Sequence, residues 1–463
     1  MFMEMMDGTV IATSLPAIAE DIGTDPIALK LAMTAYLVAL AIFIPVSGWM
    51  ADRFGARNVF RWAILVFMLG SVSCAMSFSL ETFVGSRFLQ GMGGSMMTPL
   101  ARLVLVRTTP RNELVSAMAW LTVPALMGPM AGPPIGGFLT TYLSWHWIFL
   151  INIPIGTFGI LAATLYLPTI ASASVRPIDW WGFLYCGTAF SGVLFGLSVI
   201  SLPALPPIVG VITTLVGLAA GVIYLGHVRR TPHPLLDPAL FRHPLFRTAI
   251  IGGMIFRIGL GAIPFLFPLM LQVGFGLTPF ETGLITLYGA VGAIGAKFVA
   301  KLVYVAFGFR SIMLLMSLVS AVLIAVKGGF TADTPAWIMA GTLLVAGLMR
   351  STFFTGINAM SFGDISDAES GQATAIFAVT THLSFALGVA LAGGTLELLS
   401  SLHGGEIRIS DFQITFFIVA IIASLAVLPF IGIGGDAGSA ISGHRMKGTP
   451  PGRALDDTTI PDK

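Results

Sequence analysis

Cysteine is nearly absent: Cys74 and Cys186 are the only two in 463 residues, and each falls inside an apolar run. That argues against a disulfide framework or a thiolate metal site. Charge is scarce as well. Asp, Glu, Lys and Arg make up 10% of the chain, against about 25% in ordinary soluble domains. The net charge of +2 is too small to point to nucleic acid. No Gly-Lys-Ser/Thr phosphate loop is present, which disfavours an ATP-driven pump. No nucleophile–base set or Cys/His ligand spacing stands out, so neither an enzyme nor a metal or organic cofactor is expected. Residues 1–7 carry Glu4 and Asp7 where a cleaved signal needs a basic segment.

Apolar residues fill the space that charge leaves. They make up 56% of the chain, and the mean hydropathy is +0.91. A soluble core of this size could not hide so much apolar surface. A bilayer removes the difficulty and asks for helices of about 20 apolar residues. About fourteen such segments can be counted, at roughly 2–19, 31–51, 60–80, 82–106, 114–140, 146–168, 180–201, 205–226, 246–272, 283–303, 311–330, 336–358, 372–396 and 412–433. Their lengths favour helices over strands, so the fold class is an all-α membrane protein. The first segment is short, and methionines stand at positions 1, 3, 5 and 6. A truncated first helix or a start further upstream is expected there.

Basic residues give the orientation. Arg53, Arg57, Arg61, Arg102, Arg107, Arg111, Arg176, Arg229, Arg230, Arg242, Arg247, Lys297, Lys301 and Arg310 fall on one side if the segments alternate, as do the tail's Arg445, Lys447, Arg453 and Lys463. The other side keeps Lys30, Lys327 and Arg408. The positive-inside rule then puts both termini in the cytoplasm. A basic connection at 226–245 divides the chain, and Phe54-Gly55-Ala56-Arg57 recurs as Phe307-Gly308-Phe309-Arg310. The expected organisation is a six-helix bundle over 1–168, two inserted helices with the basic loop over 169–245, a second six-helix bundle over 246–433, and a mobile tail over 434–463.

Local motifs converge on one family. Gly48 to Arg57 is a charged hairpin between two apolar runs, and it resembles the loop-2–3 signature of the major facilitator superfamily. Arg87-Phe88-Leu89-Gln90-Gly91-Met92-Gly93-Gly94 resembles its helix-four pattern. The stretch from Gly128 through Pro129, Gly132, Pro133 and Gly136 to Gly137 resembles its helix-five antiporter signature. Asp7-Gly8-Thr9-Val10 and Trp145-His146-Trp147, which runs on to Asn152 and Pro154, are similar to the fourteen-span drug:proton antiporters. The resemblance covers nearly the whole chain and implies the major facilitator fold, two six-helix bundles plus two inserted helices.

The resemblance also implies roles. Asp7 matches the acid of helix one and Arg87 the arginine of helix four, so the two are expected to couple proton movement to transport. A charge at the bilayer centre costs about 2.5–3.5 kcal/mol on insertion scales, and an unpaired one would be purged. Glu4 lies one turn before Asp7 on the same face; it is as readily a solvated helix end as a second proton carrier. Gly48, Asp52, Arg53, Gly55 and Arg57 are expected to form a conformational latch, with Asp52 facing the positive N-terminus of the helix beginning near Gly371. The glycines and prolines of 128–137 offer a smooth, bent helix that seals against proton leak, by the same geometry as ordinary small-residue packing. Gln90, Arg257, Arg350 and His382 are candidates for the substrate cavity; each of the two arginines is alternatively an interhelical ion pair or a snorkelling side chain.

The expected function is a proton-coupled secondary transporter, driven by the proton-motive force. It exports small amphipathic compounds from the cytoplasm across a bacterial inner membrane by alternating access. Acids near the site favour a cationic cargo. An exporter of an organic anion or metal–chelate complex is the alternative, and a non-transporting membrane sensor or scaffold the rival from another class. Partners are a small-molecule substrate, protons and membrane lipid; a monomer is expected.

Overall fold

The computed structural model describes residues 2–109, 114–167, 177–200, 206–232, 234–366 and 369–433. The expected mobile tail lies outside these residues, as do Arg111 and Arg176. Every regular element among them is helical, as it must be where lipid offers backbone groups no hydrogen bonds. In chain order the helices are α1 (Phe2–Val10), α2 (Leu15–Asp21), α3 (Lys30–Phe43), α4 (Ser47–Phe54), α5 (Ala56–Ala75), α6 (Leu80–Thr108), α7 (Leu114–Tyr142), α8 (Trp147–Leu150) and α9 (Asn152–Tyr166). They continue with α10 (Trp180–Ile200), α11 (Pro207–Val228), α12 (Pro244–Leu269), α13 (Pro279–Gly328), α14 (Ala336–Met360), α15 (Ser370–Leu402), α16 (Ile409–Ser424) and α17 (Val427–Ile431).

Among the described residues, eleven helical stretches are long and apolar enough to cross a membrane. α6 is 29 residues long but is not one of them, because Gly91 to Ser95 and its charges dilute the apolar content. The outer surface is apolar at Phe158, Leu165, Val222 and Phe298, the pattern of a protein whose solvent is lipid.

Local chemistry sets the helix ends. Ser79 and Thr82 form a capping box that opens α6, and Thr278 with Glu281 does the same for α13. The recurring Phe-Gly motif is a recurring turn. Gly55 joins α4 to α5 at φ 82°, and Gly308 bends α13 into two arms, 279–307 and 309–328, at φ 73°. Side chains with a Cβ rarely adopt either conformation.

Helices α1 to α9 pack among themselves, with α1 on α7 and with α3 and α5 on α6. Helices α12 to α17 form a second set, with α12 on α15 and α13 on α14 and α16. The sets meet along α3–α15 and α7–α13. α10 and α11 pair through glycines: a Cβ on Gly192 would lie 2.7 Å from Gly217 Cα. α10 rests on both α3 and α15.

The basic connection before α12 is pinned to the second set. Gln372 donates to the Pro234 carbonyl at 3.1 Å, Arg242 pairs with Glu369 at 2.5 Å, and the Leu245 amide donates to Asp364 at 2.8 Å. Two lysines assigned to the charge-poor side are not solvent cations. Lys30 and Lys327 are 0% and 3% exposed, buried at helix ends.

Candidate functional site

A carboxylate can stay in an apolar bundle only if donors surround it. Asp7 on α1 is fully buried. Its Oδ2 accepts from Arg87 Nη1 at 2.6 Å, and its Oδ1 from Gln90 Nε2 at 2.7 Å and Asn152 Nδ2 at 3.1 Å. Arg87 and Gln90 stand one turn apart on α6 and also bond each other. Ser71 Oγ on α5 accepts from Gln90 at 2.8 Å and from Asn152 at 3.2 Å. The Arg87 guanidinium lies 4.3 Å from the Tyr36 ring centroid and 5.8 Å from that of Phe149. Six helices, α1, α3, α5, α6, α8 and α9, thus converge on one buried ion pair.

Glu4 is a separate station one turn nearer the chain start. It is 5% exposed and accepts from Thr98 Oγ1 at 2.6 Å. Asp7, Arg87 and Gln90 therefore come together, and Glu4 stands beside them rather than among them.

The glycines of α7 are where α1 lies. A Cβ on Gly128 would sit 2.8 Å from Met5 Cβ and the Met6 amide, and one on Gly136 would sit 2.5 Å from the Val10 carbonyl. Gly132 faces Thr9, whereas Gly137 faces the Pro279 backbone of α13. α7 runs as one helix through Pro129, Pro133 and Pro134. Its small face thus clamps α1 on one side and the second helix set on the other.

In the hairpin, Asp52 is half-buried and engaged, and Arg57 donates to the Thr164 carbonyl at the end of α9. Gly48 and Gly55 have open space around them, and Arg53 is exposed.

Arg257 and His382 form a second patch, away from Asp7. Arg257 sits midway along α12, 2% exposed, with its guanidinium 4.8 Å from the Phe377 centroid and 5.4 Å from that of Phe354. His382 on α15 is within its electrostatic reach. Arg350 joins neither patch directly; its electrostatic neighbour is Lys327.

Sequence reading gave Asn152 a place in a motif but no role at the site, and missed Ser71, Tyr36 and the pairing of Lys30 with Glu397. A signal existed for Asn152, since an amide in a lipid-length run needs a partner. None existed for Ser71, because serine also satisfies itself on its own helix.

The family model described as "Major Facilitator Superfamily" matches residues 1–326 and 249–450. The chain is 34% identical over 433 residues to "Putative multidrug resistance protein MdtD" of Pectobacterium carotovorum subsp. carotovorum, covering 93% of this chain and 92% of that protein. A protein of the same name from Cronobacter sakazakii is 34% identical over 436 residues, with 93% and 92% covered. Among solved structures, a POT family transporter in complex with 5-aminolevulinic acid matches with a TM-score of 0.68 at 17% identity, over 95% of each chain. A D-xylose-proton symporter matches with 0.64 at 14% identity, over 91% of this chain and 94% of that one. At such identities these two establish the all-helical transporter fold and nothing finer.

Proposed function

The chain belongs to the Major Facilitator Superfamily, a family of membrane transporters rather than enzymes, and from that membership we propose that it is a proton-coupled antiporter. It exports small amphipathic compounds across a bacterial cytoplasmic membrane. Fourteen spans make two six-helix halves plus the inserted pair α10–α11, with both termini cytoplasmic. The Asp52 hairpin then lies at the cytoplasmic face, and the halves rock about a site between them.

The observation that carries this reading is the Asp7 carboxylate, buried and held by Arg87, Gln90 and Asn152. A proton arriving on Asp7 cancels its charge and releases the Arg87 guanidinium, which Tyr36 and Gln90 still hold. The two states of the acid thus favour different arrangements of α1 against α6. Glu4, beside Thr98, is a relay between this pair and the chain-start end. Each proton moving inward supplies about 2.3 kcal/mol per 100 mV, plus the pH gradient. The relatives named for multidrug resistance support export as the direction.

The test is purified protein in sealed proteoliposomes under an imposed pH gradient, with a panel of amphipathic fluorescent compounds. Movement of a compound against its gradient, abolished by an uncoupler, is expected. Uncoupler-insensitive movement refutes the coupling, and the absence of any movement across the panel refutes transport.

A further inference from the structure

We propose that the second helix set holds a subsite for an organic anion, in which Arg257 is the charge that meets the cargo. This rests on the export reading above and reverses the cationic cargo that the acids near Asp7 suggest. Of the two buried acids of α1, Asp7 is spent on Arg87 and Glu4 accepts from Thr98. Arg257 is not matched. No hydrogen bond or ion pair reaches it among the described residues, and its Nη1 is buried without a partner. Midway along α12 and 2% exposed, it does not snorkel to either face.

Every described acid of 244–433 is occupied or exposed. Glu281 caps α13, Asp364 and Glu369 hold the basic connection, Glu397 takes Lys30, and Asp411 caps α16 beside His403. Asp333 and Glu406 are exposed. The titratable group within electrostatic reach of Arg257 is His382, which is no acid. His382 has a buried Nδ1 with no partner, and Arg350 precedes Phe354 by one turn, with buried Lys327 behind it. An unpaired charge in lipid is costly and is retained where a ligand completes it.

The rings give the rest of the chemistry. Phe354 and Phe377 flank the guanidinium, and Phe353 stacks on Phe256 at 3.8 Å. Beside Phe377, Ala378 packs on the cluster that includes Met3, Tyr36 and Met97, so the patch lies at the seam between the helix sets. A carboxylate or sulfonate on an aromatic body fits this wall: the anion pairs with Arg257, bidentate where geometry allows, and the body lies on the phenylalanines.

Two xanthene dyes test it in full-length protein in proteoliposomes under an imposed pH gradient: fluorescein, which carries a carboxylate, and rhodamine 6G, a cation on the same ring frame. Wild type is expected to move fluorescein. Arg257→Gln is expected to lower that rate at least about tenfold, the scale of one charge-assisted bond, with Arg257→Lys recovering part of it. Independently of any variant, fluorescein is expected to raise the melting temperature of the wild type in detergent, an effect reduced by salt, while rhodamine 6G does not. Movement of rhodamine 6G without fluorescein overturns the anion subsite and leaves the export reading standing, as does wild-type fluorescein movement by a folded Arg257→Gln. Movement of neither dye, nor of any compound in the wider panel, overturns the export reading and this proposal with it.

Discussion

Lys30 and Glu397 form a buried ion pair between α3 and α15, with side chains 0% and 9% exposed, across 367 residues of sequence. The lysine stem lies over Gly393, where a Cβ would sit 3.2 Å from Lys30 Cβ. Nearby helix ends add to the seal. The Phe280 amide donates to Thr141 Oγ1 at 3.2 Å, and Gln272 donates to the Thr13 carbonyl at 3.0 Å. All of these join the two helix sets at the end away from the Asp52 hairpin, so that end is closed. A buried pair adds little net stability over an apolar one, but removing one member strands the other and costs about 3–5 kcal/mol. The cost falls only on the closed state, where the two meet.

Lys30→Met is therefore expected to favour opening at this end. A cysteine placed at Thr13, which is 0% exposed in this closed arrangement, should react with a soluble maleimide at least about tenfold faster in that variant, a conservative share of the about 3–5 kcal/mol at stake. The swap Lys30→Glu with Glu397→Lys should slow it again. Unchanged reactivity in Lys30→Met contradicts the seal.

Gly137 meets the Pro279 backbone of α13, and its neighbour Gly136 meets Val10 of α1. Backbone cannot swing aside as a side chain can. Gly137→Val is expected to leave a folded, monodisperse protein that transports at less than about a tenth of the wild-type rate, since overpacking costs about 1–3 kcal/mol. Wild-type transport by this variant shows that the α7–α13 contact is not part of the cycle.

Asn152 donates to both Asp7 and Ser71. Asn152→Ala removes one of three donors to the carboxylate, worth about 1.5–3 kcal/mol for a bond to a charged group. Gradient-driven transport should fall about tenfold or more, with little change in uncoupled exchange. Equal loss of both marks Asn152 as a packing residue only.

Glu369 caps the approach to α15, and hydrogen bonds from Ser366 and His243, together with Arg242, lower its carboxyl from 4.5 to about 2. The unfolded chain binds that proton more readily than the folded one. The contribution to stability is thus complete above pH 4.5 and lost as the pH falls towards 2. Glu369→Gln should melt below the wild type at pH 7, with the gap narrowing by pH 3. A gap independent of pH would assign the effect to shape rather than charge.

The helices were legible because lipid-length apolar runs leave no other backbone solution. Asp7 and Arg87 were legible because they match the helix-one acid and helix-four arginine of the family that the motifs resemble, and because a charge in an apolar run demands a partner. The partners were not. Ser71, Asn152 and Tyr36 are ordinary in composition, and only the packing of α3, α5 and α9 shows that they face one another. Lys30 read as a loop cation because it begins its helix, and only the approach of α15 buries it. The glycine face of α7 announced close packing, but not that α1 and α13 share it.

The central claim is that Asp7 carries the proton that drives export. The direct measurement compares Asp7→Asn with the wild type in proteoliposomes, after gel filtration confirms that both are folded. One assay follows dye accumulation driven by a pH jump, and the other follows downhill exchange with no gradient. Asp7→Asn should lose accumulation while keeping exchange. Accumulation at the wild-type rate without this carboxylate would contradict the account.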